Sequence, residues 1–319
     1  MDSNGSAVRA TKDCIAGSVG GVFQVLAGQP FDTVKVRLQT QSVPLKGELP
    51  KYNGPLDCVL KTFRNEGPAA FYKGTTVPIM GIGLCVSIQF LAFEGFKRHF
   101  TSKNRKESGD AFGFLTIPQL FVAGAGSGLA NSVVSGPIEQ IRSRLQIQSS
   151  SNAEFKGPID CFRKLYLHQG LKGVYQGQVP TLAREVIGFG AYFAAYEYMV
   201  QKEIKETGLK RDQLSSIKVC QFGALAGYSM WIVAYPIDVI KSKMQTDGYT
   251  PATRKYATSM DCIKATYASS GIKGFFRGFL PCILRAAPAN ASTFLGVEMA
   301  MRFLNKSGIP DPFIETQAL

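Results

Sequence analysis

A ten-residue motif that opens with proline and carries one acid and two bases occurs three times in this chain. It reads PFDTVKVRLQ from Pro30, PIEQIRSRLQ from Pro137 and PIDVIKSKMQ from Pro236. Other signals keep the same register: two glycines four apart precede each proline, and an Asp-Cys pair and an aromatic-x-Gly segment follow it. Such self-similarity indicates a repeat architecture. The sequence therefore predicts one domain, residues 1–319, made of three copies at approximately 10–100, 117–203 and 216–304.

Each copy contains two long runs that are poor in charge. The runs before the prolines are 14–31, 111–138 and 219–237, and those after the aromatic-x-Gly segments are 74–93, 173–196 and 278–297. About 20 residues of helix cross a hydrocarbon core of roughly 30 Å. We therefore expect an all-α membrane protein with six transmembrane helices and both termini on the same side. The alternative is a soluble array of buried helices, which charge-free runs of this length disfavour.

Two sets of small residues recur in all three copies. The glycine pairs predict close packing between helices in lipid, and the cysteines are interpreted as small apolar core residues. These residues are Gly17/Gly21, Gly124/Gly128 and Gly223/Gly227, and Cys58, Cys161 and Cys262.

Composition and motifs argue against several other functions. The net charge of +13 would suit nucleic acid, anionic lipid or anionic metabolites, but the chain has no nucleic-acid-binding motif. Two histidines and seven cysteines lack the spacing of a metal site, and there is no nucleophile–base pair or phosphate loop. We expect no metal, no cofactor and no enzymatic activity. The first 13 residues have no apolar core, so we expect no signal peptide there.

The proline motif places charge directly beside each apolar run. The acid and the first base are three residues apart and share a helix face; the pairs are Asp32/Lys35, Glu139/Arg142 and Asp238/Lys241. Proline kinks a helix, so three related helices can converge at one end. We expect each acid to pair with the base of a neighbouring copy. Charged side chains at membrane depth cost free energy and usually have a function, so we interpret this ring as a gate. The alternative is that these charges cap the helices at the membrane surface.

These residues resemble the signature of the mitochondrial carrier family, Px[DE]xx[KR]x[KR]xQ, over approximately residues 10–303. The resemblance implies a barrel of six tilted helices, with short helices on the matrix side, in the inner mitochondrial membrane. It implies alternating access by a monomer that binds cardiolipin, with the ring closing the matrix side and both termini in the intermembrane space. The residues Gln39, Gln146 and Gln245 fall at the positions that brace the ring in this family.

The chain departs from the family pattern at two kinds of position. The second gate, [FY][DE]xx[KR], is complete in Glu94/Lys97, whereas Glu197 and Glu298 lack the base that should follow. We expect this cytoplasmic ring to close weakly. In the lipid-binding signals, threonine at 258 replaces glycine and glutamine at 176 replaces a basic residue, which alters the cardiolipin contacts expected there.

Three positions match the substrate contact points of the family: Gly81, Arg184 and Arg285. Glu185 adjoins the second of them. Two guanidiniums and one carboxylate suit a zwitterion, because an arginine can grip a carboxylate bidentately while the glutamate takes the ammonium. The alternative is an internal Arg–Glu pair, which would leave Arg285 without a partner. Trp231, two turns before the third ring acid, could stack on a cation or serve in packing.

The sequence therefore predicts a secondary transporter of an amino acid in the inner mitochondrial membrane. The residues resemble the amino-acid and carnitine/ornithine branch of the family. No acid precedes Glu94 in the second span to hold a basic side chain, so a neutral or acidic amino acid is favoured. A carnitine/acylcarnitine or basic amino-acid carrier is the alternative within the class. A proton-conducting or structural membrane protein is the alternative from another class, which the intramembrane charges disfavour.

Overall fold

The computed structural model describes residues 3–41, 50–108, 115–149, 153–208, 213–250 and 252–306, and within these ranges it contains no strand. Each copy has a long helix, a short helix and a second long helix. Copy 1 contains α1 (Ser3–Thr40), α2 (Pro55–Glu66) and α3 (Thr76–Ser108); copy 2 contains α4 (Ile117–Ile147), α5 (Pro158–Val174) and α6 (Gln178–Thr207); copy 3 contains α7 (Ser216–Gln245), α8 (Ser259–Ser270) and α9 (Phe279–Lys306). Short 3-10 helices at Pro68–Tyr72 and Ile272–Phe276 precede α3 and α9.

The long helices extend well beyond the runs that the charge pattern predicts. Pro30, Pro137 and Pro236 lie inside α1, α4 and α7 rather than at their ends. A proline removes one backbone hydrogen bond, but the helices continue through it. The charges of the motif therefore occupy the last turns of three long helices, at what we name the ring end of the barrel.

The glycine of each aromatic-x-Gly segment sets the start of the second long helix. Gly74, Gly177 and Gly278 have φ values of 76°, 82° and 80°, a left-handed conformation that glycine adopts without steric cost. A Cβ at Gly74 would lie 3.1 Å from the carbonyl oxygen of Arg142, and one at Gly278 would lie 3.0 Å from that of Lys35. Gly177 faces α7 in the same manner. Each copy thus packs against the next, as a three-fold arrangement requires.

The six long helices pack in a closed series around a central axis. α1 packs against α9 and α3, α3 against α4, α4 against α6, and α6 against α7. α7 and α9 meet through aromatic side chains near the ring end. α1 and α9 run antiparallel, since Gly20 faces Val297 while Gly28 faces Arg285. The described ends of the chain therefore lie at the end of the barrel opposite the ring.

Hydropathy alone identifies fewer spans than the charge pattern predicts. Among the described residues, Pro68–Lys106 and Lys218–Gln245 each contain an 18-residue window apolar enough to cross a membrane, with mean hydropathies of 1.9 and 1.3 for the two windows. The other long helices contain more small and polar residues. The outer surface is nevertheless apolar: Met80, Leu91 and Phe303 are 85%, 75% and 71% exposed. Large exposed apolar surfaces of this kind mark contact with lipid or a partner.

The predicted close packing of the glycine pairs is right for copy 2 and wrong for copy 3. A Cβ at Gly128 would lie 2.6 Å from the carbonyl oxygen of Glu185, and one at Gly124 would lie 2.7 Å from that of Phe189. In copy 1, Gly21 packs against α3 but Gly17 is open. At positions 223 and 227 no described atom lies within 4 Å of the Cβ position. The repeated motif therefore has one packing role, between α4 and α6, that its copies do not all share.

The repeated cysteines are core residues of the short helices, as predicted. Cys58, Cys161 and Cys262 are fully buried, each in its own apolar cluster. Burial raises the pKa of Cys58 and of Cys262 to about 11 and that of Cys161 to about 12. These thiols therefore stay protonated and unreactive near neutral pH.

Gly128→Ala should destabilise the folded protein by about 1–3 kcal/mol, because the added methyl group meets backbone that cannot move freely. The matched control is Gly227→Ala, which meets open space and should be neutral or gain up to about 1 kcal/mol of helix propensity. Thermal unfolding of the purified proteins in detergent compares the two. Equal melting temperatures would contradict the close approach of α4 and α6.

Candidate functional site

The acids and bases of the three proline motifs form a ring of ion pairs between copies. The pairs are Asp32–Arg142 at 2.6 Å, Glu139–Lys241 at 2.9 Å and Asp238–Lys35 at 2.7 Å. Each acid thus contacts a base of another copy, which is the geometry that the repeat predicts. The side chains of Asp238 and Lys35 are 2% and 9% exposed, so an unpaired charge here would be costly. The ring joins the ends of α1, α4 and α7.

The predicted glutamine braces are only partly in place. Gln39 donates to an oxygen of Asp238 at 3.0 Å and so supports one ion pair. Gln146 and Gln245 donate instead to the hydroxyl groups of Thr33 and Thr181, at 3.5 and 3.3 Å, so the expected bracing by these two is wrong for this arrangement.

A glutamine that the sequence analysis missed supports the ring instead. Arg142 donates to Oε1 of Gln29 at 2.6 Å as well as to Asp32, and the amide nitrogen of Gln29 donates to the carbonyl of Lys73. Gln29 is fully buried. The sequence feature that could have identified Gln29 is its position directly before the motif proline, where copies 2 and 3 have Gly136 and Tyr235.

The expectation that Arg285 lacks a partner is wrong. Its Nε lies 3.0 Å from Oδ1 of Asp32, the ring acid of copy 1. The contact does not have hydrogen-bond geometry, since Nε has no hydrogen-bond partner. The side chain is 26% exposed. Arg285 is therefore held by charge attraction rather than by the bidentate geometry that an arginine makes with a free carboxylate.

Arg184 connects the predicted contact point with the ring acid of copy 2. Its Nη2 donates to both carboxylate oxygens of Glu139, at 2.9 and 3.1 Å, and also to Glu185. Asn131, which the sequence analysis did not single out, donates to the other oxygen of Glu185 at 3.3 Å. The internal Arg–Glu pair that we weighed as an alternative is therefore present in this conformation. Both contact-point arginines share their carboxylates with the ring.

The two remaining predicted contact residues differ in their surroundings. Trp231 is half-buried at the central cavity, and the ammonium of Lys35 lies 4.3 Å from the centroid of its ring system, a cation–π contact. Gly81 is buried, and its Cβ position lies 2.5 Å from Cδ1 of Ile138. Gly81 therefore faces α4 and does not line the cavity.

A central cavity of about 170 Å³ lies at the level of the ring and is lined by the ring charges and by both contact-point arginines. Five basic and three acidic side chains line it, which leaves two positive charges in excess. These are Lys35, Arg142, Arg184, Lys241 and Arg285, and Asp32, Glu139 and Asp238. Glu185 lies behind Arg184 and offsets one of these charges. The cavity therefore favours a ligand with an anionic group.

The acids of the second gate motif lie at the other end of the barrel. Glu94 pairs with Lys97 at 3.7 Å within α3, and Glu298 pairs with Arg302, one residue after the expected base, within α9. Glu197 is buried on α6. Two of the three acids thus have partners in their own helix, whereas the ring acids pair between copies.

Reversing one ring charge should destabilise the protein, and reversing its partner should restore part of the loss. Asp32→Lys faces Arg142 and Arg285 without compensation, so we expect a loss of about 3–5 kcal/mol. Adding Arg142→Asp restores a pair of opposite charges, with the acid and the base exchanged. The matched control adds Lys241→Asp, which removes the partner of Glu139 and should restore nothing. Thermal unfolding in detergent measures all four proteins; equal recovery in both double variants would argue against specific pairing between copies 1 and 2.

Comparison with known proteins agrees with this architecture. A family model described as mitochondrial carrier protein matches residues 6–104, 114–206 and 212–308. The glutamate/glycine mitochondrial carrier of Schizosaccharomyces pombe is 50% identical over 291 residues, 91% of this chain and 93% of that protein. The mitochondrial glycine transporter of Saccharomyces cerevisiae is 45% identical over 300 residues, 93% and 92% of the two chains. The human mitochondrial carnitine/acylcarnitine carrier protein is 39% identical over 295 residues, 92% and 94%.

The three matched segments confirm the resemblance that the proline motif indicated. They confirm with it the fold of six transmembrane helices in three copies. The chain belongs to the mitochondrial carrier protein family.

Proposed function

We propose that this protein carries a small neutral or acidic amino acid, with glycine and glutamate as first candidates, across the inner mitochondrial membrane. The observation that carries the proposal is the central cavity, which keeps one excess positive charge when Glu185 is counted with the three acids that line it. A substrate carboxylate supplies one compensating charge. Two relatives, at 50% and 45% identity, are named for glutamate/glycine and glycine.

We propose Arg285 as the ligand of the substrate carboxylate. Its present contact with Asp32 has poor geometry and leaves the guanidinium partly exposed. A substrate carboxylate can approach the two terminal nitrogens in a bidentate manner, which is the stronger arrangement. Glu185 then receives the substrate ammonium, and Arg184 keeps Glu139 and Glu185 in place.

This assignment couples recognition to the ring. Asp32 is shared between Arg285 and Arg142, and Glu139 between Arg184 and Lys241. A substrate that occupies Arg285 and Glu185 redistributes the charges that stabilise the closed ring. We propose that alternating access follows from this exchange, with the ring as the matrix gate and the charges around Glu94 as a weaker cytoplasmic gate.

Two observations favour an amino acid over an acylcarnitine. The cavity of about 170 Å³ is smaller than the roughly 300–1,000 Å³ that enclose drug-sized ligands. The face of Trp231, which would suit a quaternary ammonium, is covered by Lys35. Carnitine remains the second candidate, because a relative at 39% identity is named for it.

Uptake into proteoliposomes tests the proposal with glycine, glutamate, lysine and carnitine. Arg285→Ala should lower the apparent affinity for the transported amino acid tenfold or more, the equivalent of about 1.5–3 kcal/mol for a charged hydrogen bond. Arg285→Lys should recover part of it, because an ammonium cannot reproduce the bidentate contact. Arg163→Ala, on the exposed face of α5, is the matched control and should transport normally.

Three results would contradict the proposal. Normal uptake by Arg285→Ala would show that Arg285 does not bind the substrate carboxylate. Faster uptake of carnitine than of glycine and glutamate supports the carnitine alternative. A folded wild-type protein that transports none of these compounds supports a proton-conducting or structural role.

We also propose that cardiolipin binds in a cavity of about 890 Å³ between α5, the start of α6 and the start of α8. The cavity is lined by Gly177 and by the basic residues Lys172 and Arg254. The buried side chain of Gln176 donates to the carbonyl of Met244 at 3.0 Å, so it turns inward. The hydroxyl of Thr258 caps α8 by accepting from the amide of Asp261. The basic side chains therefore supply the lipid contacts.

Combined Lys172→Gln and Arg254→Gln should reduce the rise in melting temperature that cardiolipin causes in detergent, since two phosphate-binding charges are lost. The control is Lys264→Gln on the exposed face of α8. An unchanged cardiolipin response would place the lipid elsewhere.

We propose further that the protein acts as a monomer, because one chain supplies the whole ring, and that both termini face the intermembrane space.

A further inference from the structure

A second layer of charge lies beyond the ring and is most complete in copy 1. Arg37, the second base of the first motif, donates to both oxygens of Glu66 at 2.5 and 3.0 Å and to the hydroxyl of Thr62 at 3.0 Å. Lys73 forms an ion pair with the same carboxylate at 2.7 Å. Burial alone would raise the pKa of Glu66, but hydrogen bonds from Arg37 and Lys73 lower it to about 2. One carboxylate thus joins two cations.

Copy 3 keeps the two cations and the hydroxyl but loses the carboxylate. Lys243 donates to the hydroxyl of Thr266 at 2.9 Å, which repeats the Arg37–Thr62 contact. Arg277 stands at the position of Lys73, and its backbone is fixed by a hydrogen bond from the hydroxyl of Tyr235 to its carbonyl, at 2.8 Å. Ser270, the last residue of α8, stands where α2 ends with the glutamate.

The two cations of copy 3 occupy the positions at which copy 1 gathers its cations around one carboxylate. Lys243 and Arg277 correspond to Arg37 and Lys73 of copy 1, and both side chains are half-buried. In the part of the chain that the structure describes, neither forms an ion pair with a carboxylate. Two neighbouring cations removed partly from water are unfavourable unless an anion compensates them.

Copy 2 shows how the same layer adjusts when the carboxylate and one of the two cations are absent. Its equivalents of the glutamate and lysine are the neutral residues Gln169 and Gln176. Arg144 donates to Oε1 of Gln176 at 3.2 Å and to the carbonyl of Asp247 at 2.9 Å. Copy 2 has therefore lost the second cation together with the acid, whereas copy 3 has lost the acid alone.

We propose that Lys243, Arg277 and the hydroxyl of Ser270 bind an external phosphate group at the ring end of copy 3. A phosphate suits this site because it presents several oxygens to a guanidinium, an ammonium and a hydroxyl at once. The bound anion occupies the place that the carboxylate of Glu66 fills in copy 1. It links α7 to the segment before α9, as that carboxylate links α1 to the segment before α3. The phosphate can come from free inorganic phosphate or from a lipid headgroup.

Thermal unfolding of delipidated protein in detergent tests the site, with sodium phosphate compared with sodium chloride at equal ionic strength. We expect phosphate to raise the melting temperature by about 2–4 °C, since a ligand of the folded state stabilises it. Ser270→Glu supplies the copy-1 carboxylate, so it should raise the melting temperature in chloride and lose the phosphate response. The control Lys264→Gln removes an exposed charge from α8 and should respond like the wild type.

The inverse variant in copy 1 provides an independent check. Glu66→Ser leaves Arg37 and Lys73 without their acid, so its melting temperature should fall in chloride and recover with phosphate more than the wild type does. Should Ser270→Glu not fold, the combined change Lys243→Gln and Arg277→Gln must abolish the response instead.

Nanodiscs of phosphatidylcholine, with or without phosphatidylglycerol and without inorganic phosphate, distinguish the two sources. A response to inorganic phosphate that Ser270→Glu abolishes identifies a free phosphate-class ligand. A response to phosphatidylglycerol alone that Ser270→Glu abolishes identifies a headgroup. Equal responses in wild type and Ser270→Glu, or no response to either compound in the wild type, would overturn the proposal.

Discussion

The structure depends on the cost of burying charge. Each copy brings one acid and one base to the ring end, and neither can be left unpaired away from water without a large penalty. The two share a face of one helix, and each acid finds a base on the next copy at 2.6–2.9 Å. The three copies therefore need one another to neutralise their charges, and one chain that contains all three closes the ring by itself.

Two of the same carboxylates also contact the arginines of the proposed substrate site, which links the two halves of the proposed mechanism. Asp32 and Glu139 each contact a ring base and a contact-point arginine. A ligand that competes for the arginines changes the electrostatic support of the ring without touching it. In the proposed mechanism, the symmetric positions of the scaffold form the gate, and the departures from symmetry in copies 2 and 3 recognise the substrate.

The polar interior explains why hydropathy alone finds so few spans. The long helices direct charged and small side chains toward the central axis and toward one another, while residues such as Leu91 and Phe303 cover the outside. Averaging over a window mixes the two faces, so most helices fall short of the criterion that two of them meet. The scarcity of charge in each run was the better signal, because charge is the costliest feature in lipid.

The sequence by itself determined the three copies, the helical class, the family and the charged residues of the ring, because these rest on a repeated pattern and on chemistry that lipid enforces. The tertiary structure alone decided which groups meet. It gave Arg285 a partner in Asp32, replaced two expected braces with Gln29, and turned Gly81 toward α4. These contacts join residues far apart in the chain, and they depend on how each helix is rotated and positioned against its neighbours. A motif shared by all three copies cannot specify differences of this kind.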